Sequence, residues 1–246
     1  MAVIRQPYKR RNGESTLAPW VRIPGENAVV KLAIYTAITA GKDTLKDPPL
    51  DKDTDRIFFT DRPQDHVDSA WDVREACSLF VDPRRNSRAH KILAHQYLPE
   101  HDYSLWIDGN IRLLASVREL IDAHLRDADI AMFPHPVRNC LYVEAAGCAN
   151  AGSDHRHVLD AQVAAYRRAG YPADNGLNEC AVILRRHNDV TTRFNEAWWA
   201  EYCRHSCRDQ VSVRYVLHKL GVRLALLPGT IQDNPGIVFY EDHLWR

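Results

Sequence analysis

The chain has no excess charge of either sign: Lys and Arg total 32, and Asp and Glu total 32. Nucleic-acid binders carry a basic surplus, so no nucleic-acid partner is expected, and any anion must be held by a local cluster. No apolar run approaches the roughly 20 residues that cross a bilayer, so no transmembrane segment is expected. There is no G-x-G-x-x-G, and Gly41-Lys42-Asp43 lacks the spacing and the Ser/Thr of a P-loop. Both glycine-rich phosphate cradles are therefore excluded. The 12 histidines form no H-E-x-x-H. Met1-Ala2-Val3-Ile4-Arg5 lacks the long apolar core of a signal peptide, and a cytoplasmic location is expected. In that setting the six cysteines are expected to be reduced thiols, and Cys203 and Cys207 find no second pair at zinc-site spacing. No internal repeat or low-complexity segment is apparent.

What is present is a soluble globular composition, 45% hydrophobic and 26% charged, and one stretch that organises the rest. Tyr103-Ser104-Leu105-Trp106-Ile107-Asp108-Gly109-Asn110 runs from apolar and aromatic residues into an acid, a glycine and an amide. It reads as a buried strand whose carboxyl end delivers Asp108 into a cleft, the place where open α/β sheets bind ligands. An Asp-Gly turn with Asp108 merely shaping a loop is the alternative.

Residues 1–27 read as a polar tail or flap containing Lys9-Arg10-Arg11, and 28–246 as one domain. Strands are expected over Ala28–Thr39, Arg56–Asp61, part of Trp71–Phe80, the Asp108 stretch, Asp129–Phe133, Cys180–Leu184 and Val222–Leu227. Ile111–Leu114 is a brief extension. Helices are expected from Asp82 to Leu98 with Pro99 as the stop, over Ser116–Leu125, over most of 137–176, and after the N-cap Asn188. Ser206-Cys207-Arg208-Asp209 fits a capping box that opens a helix over 207–220, ended by Gly221. Everything after Pro228 reads as a tail. Strands alternating with helices predict an α/β fold, a single mixed, mostly parallel sheet with helices on both faces.

Thr36, Asp61 and Asp108 each fall at the carboxyl end of an expected strand, with Ala37 beside Thr36. Arg84, Arg88 and Lys91 recur at i, i+4 and i+7 and so share one helical face, a basic stripe suited to phosphate. A solvated face is the ordinary alternative for such a stripe. His135, held in extended backbone between Pro134 and Pro136, is a candidate to line the cleft, with a plain loop histidine as the alternative. Carboxylate, cations and strand-end groups together suit a nucleotide diphosphate.

The motifs IYTAI, FFTD, DPRRNSRAHKILAH, YSLWIDGNI, GLNECAVILRRHN and RDQVS, in that order, resemble the glycosyltransferase-like family first described as domain of unknown function 616. The resemblance covers roughly residues 30–220. It implies a GT-A-like fold and transfer of a sugar, of the hexosyl class, from a nucleotide sugar to a glycan, lipid or small-molecule acceptor. Asp108 matches the first acid of the metal-binding Asp-x-Asp motif of such enzymes, but Asn110 stands where the second acid is expected. Mn²⁺ or Mg²⁺ would then rest on Asp108, Asn110 and a late histidine, His243, with an amide oxygen in place of one charge. Glu179 and Asp209 are candidate catalytic carboxylates for sugar or acceptor hydroxyls. Asp209-Gln210 resembles a sugar-side or acceptor-side motif, while Asp209 also suits a helix first turn. Two alternatives stand beside a metal-assisted transferase. One is a non-catalytic nucleotide- or sugar-binding module on the same fold. The other, placed last, is a metal-dependent hydrolase of phosphorylated or amide-containing lipids.

Overall fold

The computed structural model describes residues 30–49 and 51–241. Residues 1–27 with Lys9-Arg10-Arg11, the start of the first expected strand, and His243 lie outside the described residues.

The sheet begins with β1 (Leu32–Ile38) and β2 (Thr54–Thr60), followed by the short β3 (Asp72–Glu75). Every residue of β1 is buried, which is what a near-continuous apolar run delivers when both faces of a strand are covered. Two helices follow, α1 (Pro83–Ile92) and α2 (Ala94–Tyr97), and then β4 (Tyr103–Ile107). Next come β5 (Ile111–Leu113), α3 (Val117–His124), β6 (Ile130–Pro134), α4 (Leu141–Asn150) and α5 (Arg156–Arg168). The chain continues through β7 (Asn178–Arg186), α6 (Asp189–Arg204), α7 (Asp209–Leu220), β8 (Leu224–Leu226) and β9 (Ile237–Phe239).

Seven strands form one sheet in the order β3-β2-β1-β4-β7-β6-β8. All neighbours are parallel except those of β7, which runs antiparallel to β4 and to β6. Alternation along the strands splits the core into two layers. One layer joins Tyr35, Phe59, Trp106 and Ile183 to Ile92 of α1, Phe194 and Trp198 of α6 and Val213 of α7. The other joins Ile34, Phe58, Leu105 and Leu184 to Val117 and Ile121 of α3. This is the mixed, mostly parallel sheet flanked by helices that the sequence led one to expect.

Three local expectations are corrected. The helix expected from Asp82 to Leu98 breaks at Leu93, whose ψ of 40° leaves helical space. A straight helix would splay Ile92, Ala94 and Leu98 around its axis, whereas the break buries all three in one cluster. The capping box at Ser206 does not form. Ser206 Oγ instead donates to Gln162 Oε1 at 2.6 Å, and α7 opens at Asp209 behind Arg208. The region after Pro228 is not all tail, because β9 pairs antiparallel with β5.

Candidate active site

The carboxyl ends of β1 and β4 open onto a cavity of about 470 Å³. Its walls come from the turns after these strands, the start of α1, the start of β7 and the start of α7. Asp82 begins α1 by accepting from the Arg84 backbone N–H, with Pro83 in the first turn. The helix is then fixed to the end of β1. Ser87 Oγ donates to the Ala37 carbonyl at 2.9 Å, and Thr39 Oγ1 donates to the Pro83 carbonyl at 2.7 Å. Gly109 is needed where it stands: a Cβ there would lie 2.9 Å from Ile38 and Asp43 side-chain carbons.

Lys91 forms the centre of the charge network. Its side chain is 1% exposed, and Nζ lies 2.7 Å from Asp209 Oδ2 and 3.2 Å from Asp108 Oδ1. Arg88 Nε reaches the same Asp209 oxygen at 3.2 Å. Trp106 Nε1–H donates to Asp108 Oδ1 at 2.7 Å and so orients that carboxylate toward the cavity. Burial alone would raise the Asp209 carboxyl, but Lys91, Arg88 and Arg208 hold it far below the ordinary carboxylate range. Burial alone would lower Arg88, and Asp209 and Asp108 reverse that. Glu179 moves the other way. Burial raises its pKa and Asp108 adds to the rise, against opposing hydrogen bonds from Ile231 N–H and the Gln232 side chain. The cavity thus holds one carboxyl whose pKa is pushed down and one whose pKa is pushed up.

Of the residues singled out from sequence, Ala37, Arg84, Arg88, Lys91, Asp108, Glu179, Asp209 and Gln210 line this cavity. Four others do not. Thr36 is buried next to Ala37 but on the opposite face of β1, as alternation requires. Asp61 is spent on the turn after β1, where its Oδ2 accepts from the Ala40 N–H at 2.8 Å while Ala40 sits at φ 55°. His135 organises its own loop: Nδ1 accepts from the Val137 and Arg138 N–H groups, and Nε2 faces Glu144 at 3.7 Å. Asn110 turns its amide away, donating Nδ2–H to the Tyr240 carbonyl at 3.0 Å. Sequence reasoning missed Arg208 and Trp106, both in the cavity wall. Arg208 stood beside Asp209 in the sequence, but one arginine among 32 basic residues gives no signal of its own.

Of the donors expected for Mn²⁺ or Mg²⁺, one oxygen of Asp108 and the Asn110 amide nitrogen are engaged by protein groups, while Asn110 Oδ1 has no hydrogen-bond partner. Asp108 Oδ1 already accepts from Trp106 and Lys91, Asn110 is turned toward β9, and His243 lies outside the described residues. Among the described residues, no group of three or more His, Cys, Asp or Glu side chains is placed to hold a metal ion. The cysteines in the described residues are all free thiols.

With this geometry in hand, the comparison with known proteins is decisive at the family level. A family model described as TOD1/MUCI70, glycosyltransferase-like domain, matches residues 69–230. The chain belongs to this family. The matched span begins after β2 and takes in α1, Asp108, Glu179 and the RDQVS motif. The chain is 30% identical over 187 residues to the probable hexosyltransferase MUCI70 of Arabidopsis thaliana, covering 71% of this chain and 32% of that protein. It is 26% identical over 176 residues to the alkaline ceramidase TOD1 of Arabidopsis thaliana, covering 65% and 38%. The chain thus spans about a third of the length of the curated relatives it matches. Among solved structures, mouse xyloside xylosyltransferase 1 aligns with a TM-score of 0.44 at 11% identity, over 80% of this chain and 84% of that one. In the described residues, no helix is long and apolar enough to cross a membrane.

Proposed function

We propose that this chain is a glycosyltransferase that moves a hexosyl group from a nucleotide-diphosphate sugar to a hydroxyl-bearing acceptor. The observation that supports this reading most is the convergence, in one cavity at the strand ends, of the Asp108 carboxylate and the basic face of α1. The volume of about 470 Å³ lies within the range of roughly 300–1,000 Å³ usual for small-molecule sites.

The residues divide the work by charge. Sugar transfer cleaves the bond between the anomeric carbon and the diphosphate, and negative charge gathers on the departing phosphates. Arg84 and Arg88 face the cavity from one side of α1 and meet that charge. Asp209, kept anionic by its three cations, accepts hydrogen bonds from sugar hydroxyls without taking a proton. Glu179, also in the cavity wall and raised by burial, is the carboxyl suited to take the proton of the acceptor hydroxyl. Asp108 lies between these roles, aligned by Trp106 and Lys91.

The test is release of free nucleotide from a panel of UDP- and GDP-hexoses, measured with a set of hydroxyl acceptors. Turnover that disappears in Asp108→Ala while the variant stays folded is the expected result. Nucleotide-sugar binding without turnover would move the chain to the non-catalytic module. Hydrolysis of ceramide with no sugar transfer would place it with the hydrolase reading that the TOD1 relative suggests.

A further inference from the structure

Resting on the transferase reading, we propose that the diphosphate is anchored by guanidinium charge centred on Arg208, in place of a divalent cation, so that its binding is independent of metal. Arg208 precedes α7 directly and lines the cavity. Its Nη2–H reaches Gln210 Oε1 at 3.3 Å, while its Nε is buried and has no hydrogen-bond partner. The guanidinium as a whole is only half-buried and already feels Asp209, so what stands open is one donor: a buried N–H without an acceptor costs about 1–3 kcal/mol.

The protein does not supply that acceptor. Asp209, the adjacent carboxylate, is already shared between Lys91 and Arg88. Behind Arg208 lies Cys148, whose thiol is pushed up to about 11 by burial and therefore offers no negative charge. Glu144, beyond that thiol, is paired with Arg138 at 2.6 Å. Arg88, Lys91 and Arg208 thus all act on Asp209, and Lys91 is shared with Asp108 as well. The helix α7 points its amino end at the same place, and its dipole favours a bound anion there. A second positive ion would instead have to settle against Lys91, on a carboxylate whose Oδ1 is already occupied.

Calorimetry on the full chain with inorganic pyrophosphate and with UDP, in EDTA and then in Mn²⁺, tests the proposal. Binding in EDTA is expected, changed less than about threefold by Mn²⁺ and weakened about tenfold or more in Arg208→Gln, the scale of one hydrogen bond to a charged group. Arg208→Lys keeps the charge and loses the planar fork, so a smaller loss is expected. If Arg208→Gln does not fold, Arg208→Lys alone decides: weaker pyrophosphate binding upholds the proposal, and unchanged binding overturns it. Pyrophosphate binding that appears only with Mn²⁺, no binding under either condition, or unaltered affinity in Arg208→Gln would each overturn it. Sugar transfer that requires Mn²⁺ would sink this inference and leave the transferase reading standing. Metal-free pyrophosphate binding without any transfer would do the reverse.

Discussion

Two basic side chains are removed from water beneath the same face of the sheet, and the protein treats them in opposite ways. Lys91 lies at the carboxyl end of β4, held between Asp108 and Asp209. Arg185 lies at the other end, opposite Ser104 in the β4–β7 register, and is 0% exposed. Among the described residues it makes no ion pair with a carboxylate. Its Nη1–H donates to Tyr35 Oη at 2.9 Å, its guanidinium carbon sits 5.8 Å from the Trp198 ring centre, and its Nε and Nη2 have no hydrogen-bond partner. Tyr35 in turn donates to the Lys91 backbone carbonyl at 3.3 Å, so one phenol joins the Arg185 side chain to the Lys91 main chain. The contrast teaches where the fold concentrates matched charge. Around Lys91 two carboxylates are gathered beside a cavity, whereas Arg185 relies on a ring and a hydroxyl.

The sharpest way to break this comparison is Lys91→Met. It leaves Asp108 and Asp209 facing each other's field with one cation fewer, and breaking a buried pair costs about 3–5 kcal/mol. Urea unfolding is expected to show a loss of that size, with a large part recovered when Asp209→Asn is added. The pH dependence has a defined sign. The carboxyl of Asp209 is depressed in the folded state, so its stabilisation is present above the ordinary carboxylate pKa and disappears as pH falls below it. The Lys91→Met chain should lose stability mainly at neutral pH and approach the parent in acid. Equal loss at both ends of the pH range would show that Lys91 acts by packing alone.

Next in size is Glu179→Gln, which separates the acid with the lowered pKa from the one with the raised pKa. Turnover is expected to fall about 100-fold, the scale of losing a positioned base. Stability should move the other way. Glu179 has a raised folded pKa, so its favourable contribution is present below the ordinary carboxylate pKa and is lost as pH rises through the folded value. The amide cannot ionise, and the variant should match the parent in acid and exceed it slightly at neutral pH. A thermal-unfolding series over pH with the turnover profile checks both. Unchanged turnover would remove Glu179 from the chemistry.

The sequence made the elements legible where local chemistry decides them. The unbroken apolar run of β1, the Asp82-Pro83 start of α1 and the Asn188 cap of α6 all appear in the structure; Asn188 even closes a reciprocal box with Thr191. The placement of Asp108 was legible for the same reason, since an apolar strand running into Asp-Gly leaves its acid at the sheet edge. What was not legible is partnership over distance. Nothing local says that Lys91 pairs with Asp209, 118 residues away, or that the Asn110 amide finds the Tyr240 carbonyl, 130 residues away. Asp61 ended a strand as expected, but a left-handed turn at Ala40 claimed its carboxylate. β9 is three residues long and half-buried, too short for periodicity to distinguish it from a tail.

The smallest effect is expected from Arg185→Met, and it sharpens the comparison most. Replacing such a buried cation by an apolar side chain of similar length is often neutral or stabilising, so unfolding free energy should stay within about 1 kcal/mol or rise. His187 supplies a reporter that packing alone would not move. Its imidazole, 2.8 Å from Ser104 Oγ, is lowered to about 4, first by burial and then by the Arg185 charge. A lowered histidine pKa means that stability is lost as pH falls from the ordinary value of about 6.5 toward the folded one, because the unfolded chain takes up the proton first. Removing Arg185 should raise the His187 pKa, still short of its ordinary value, and shrink that acid loss. A histidine titration followed by NMR reads the shift directly. A loss of several kcal/mol in Arg185→Met with the His187 titration unmoved would mean that Arg185 is matched as fully as Lys91, and that the two sites do not differ in how they hold charge.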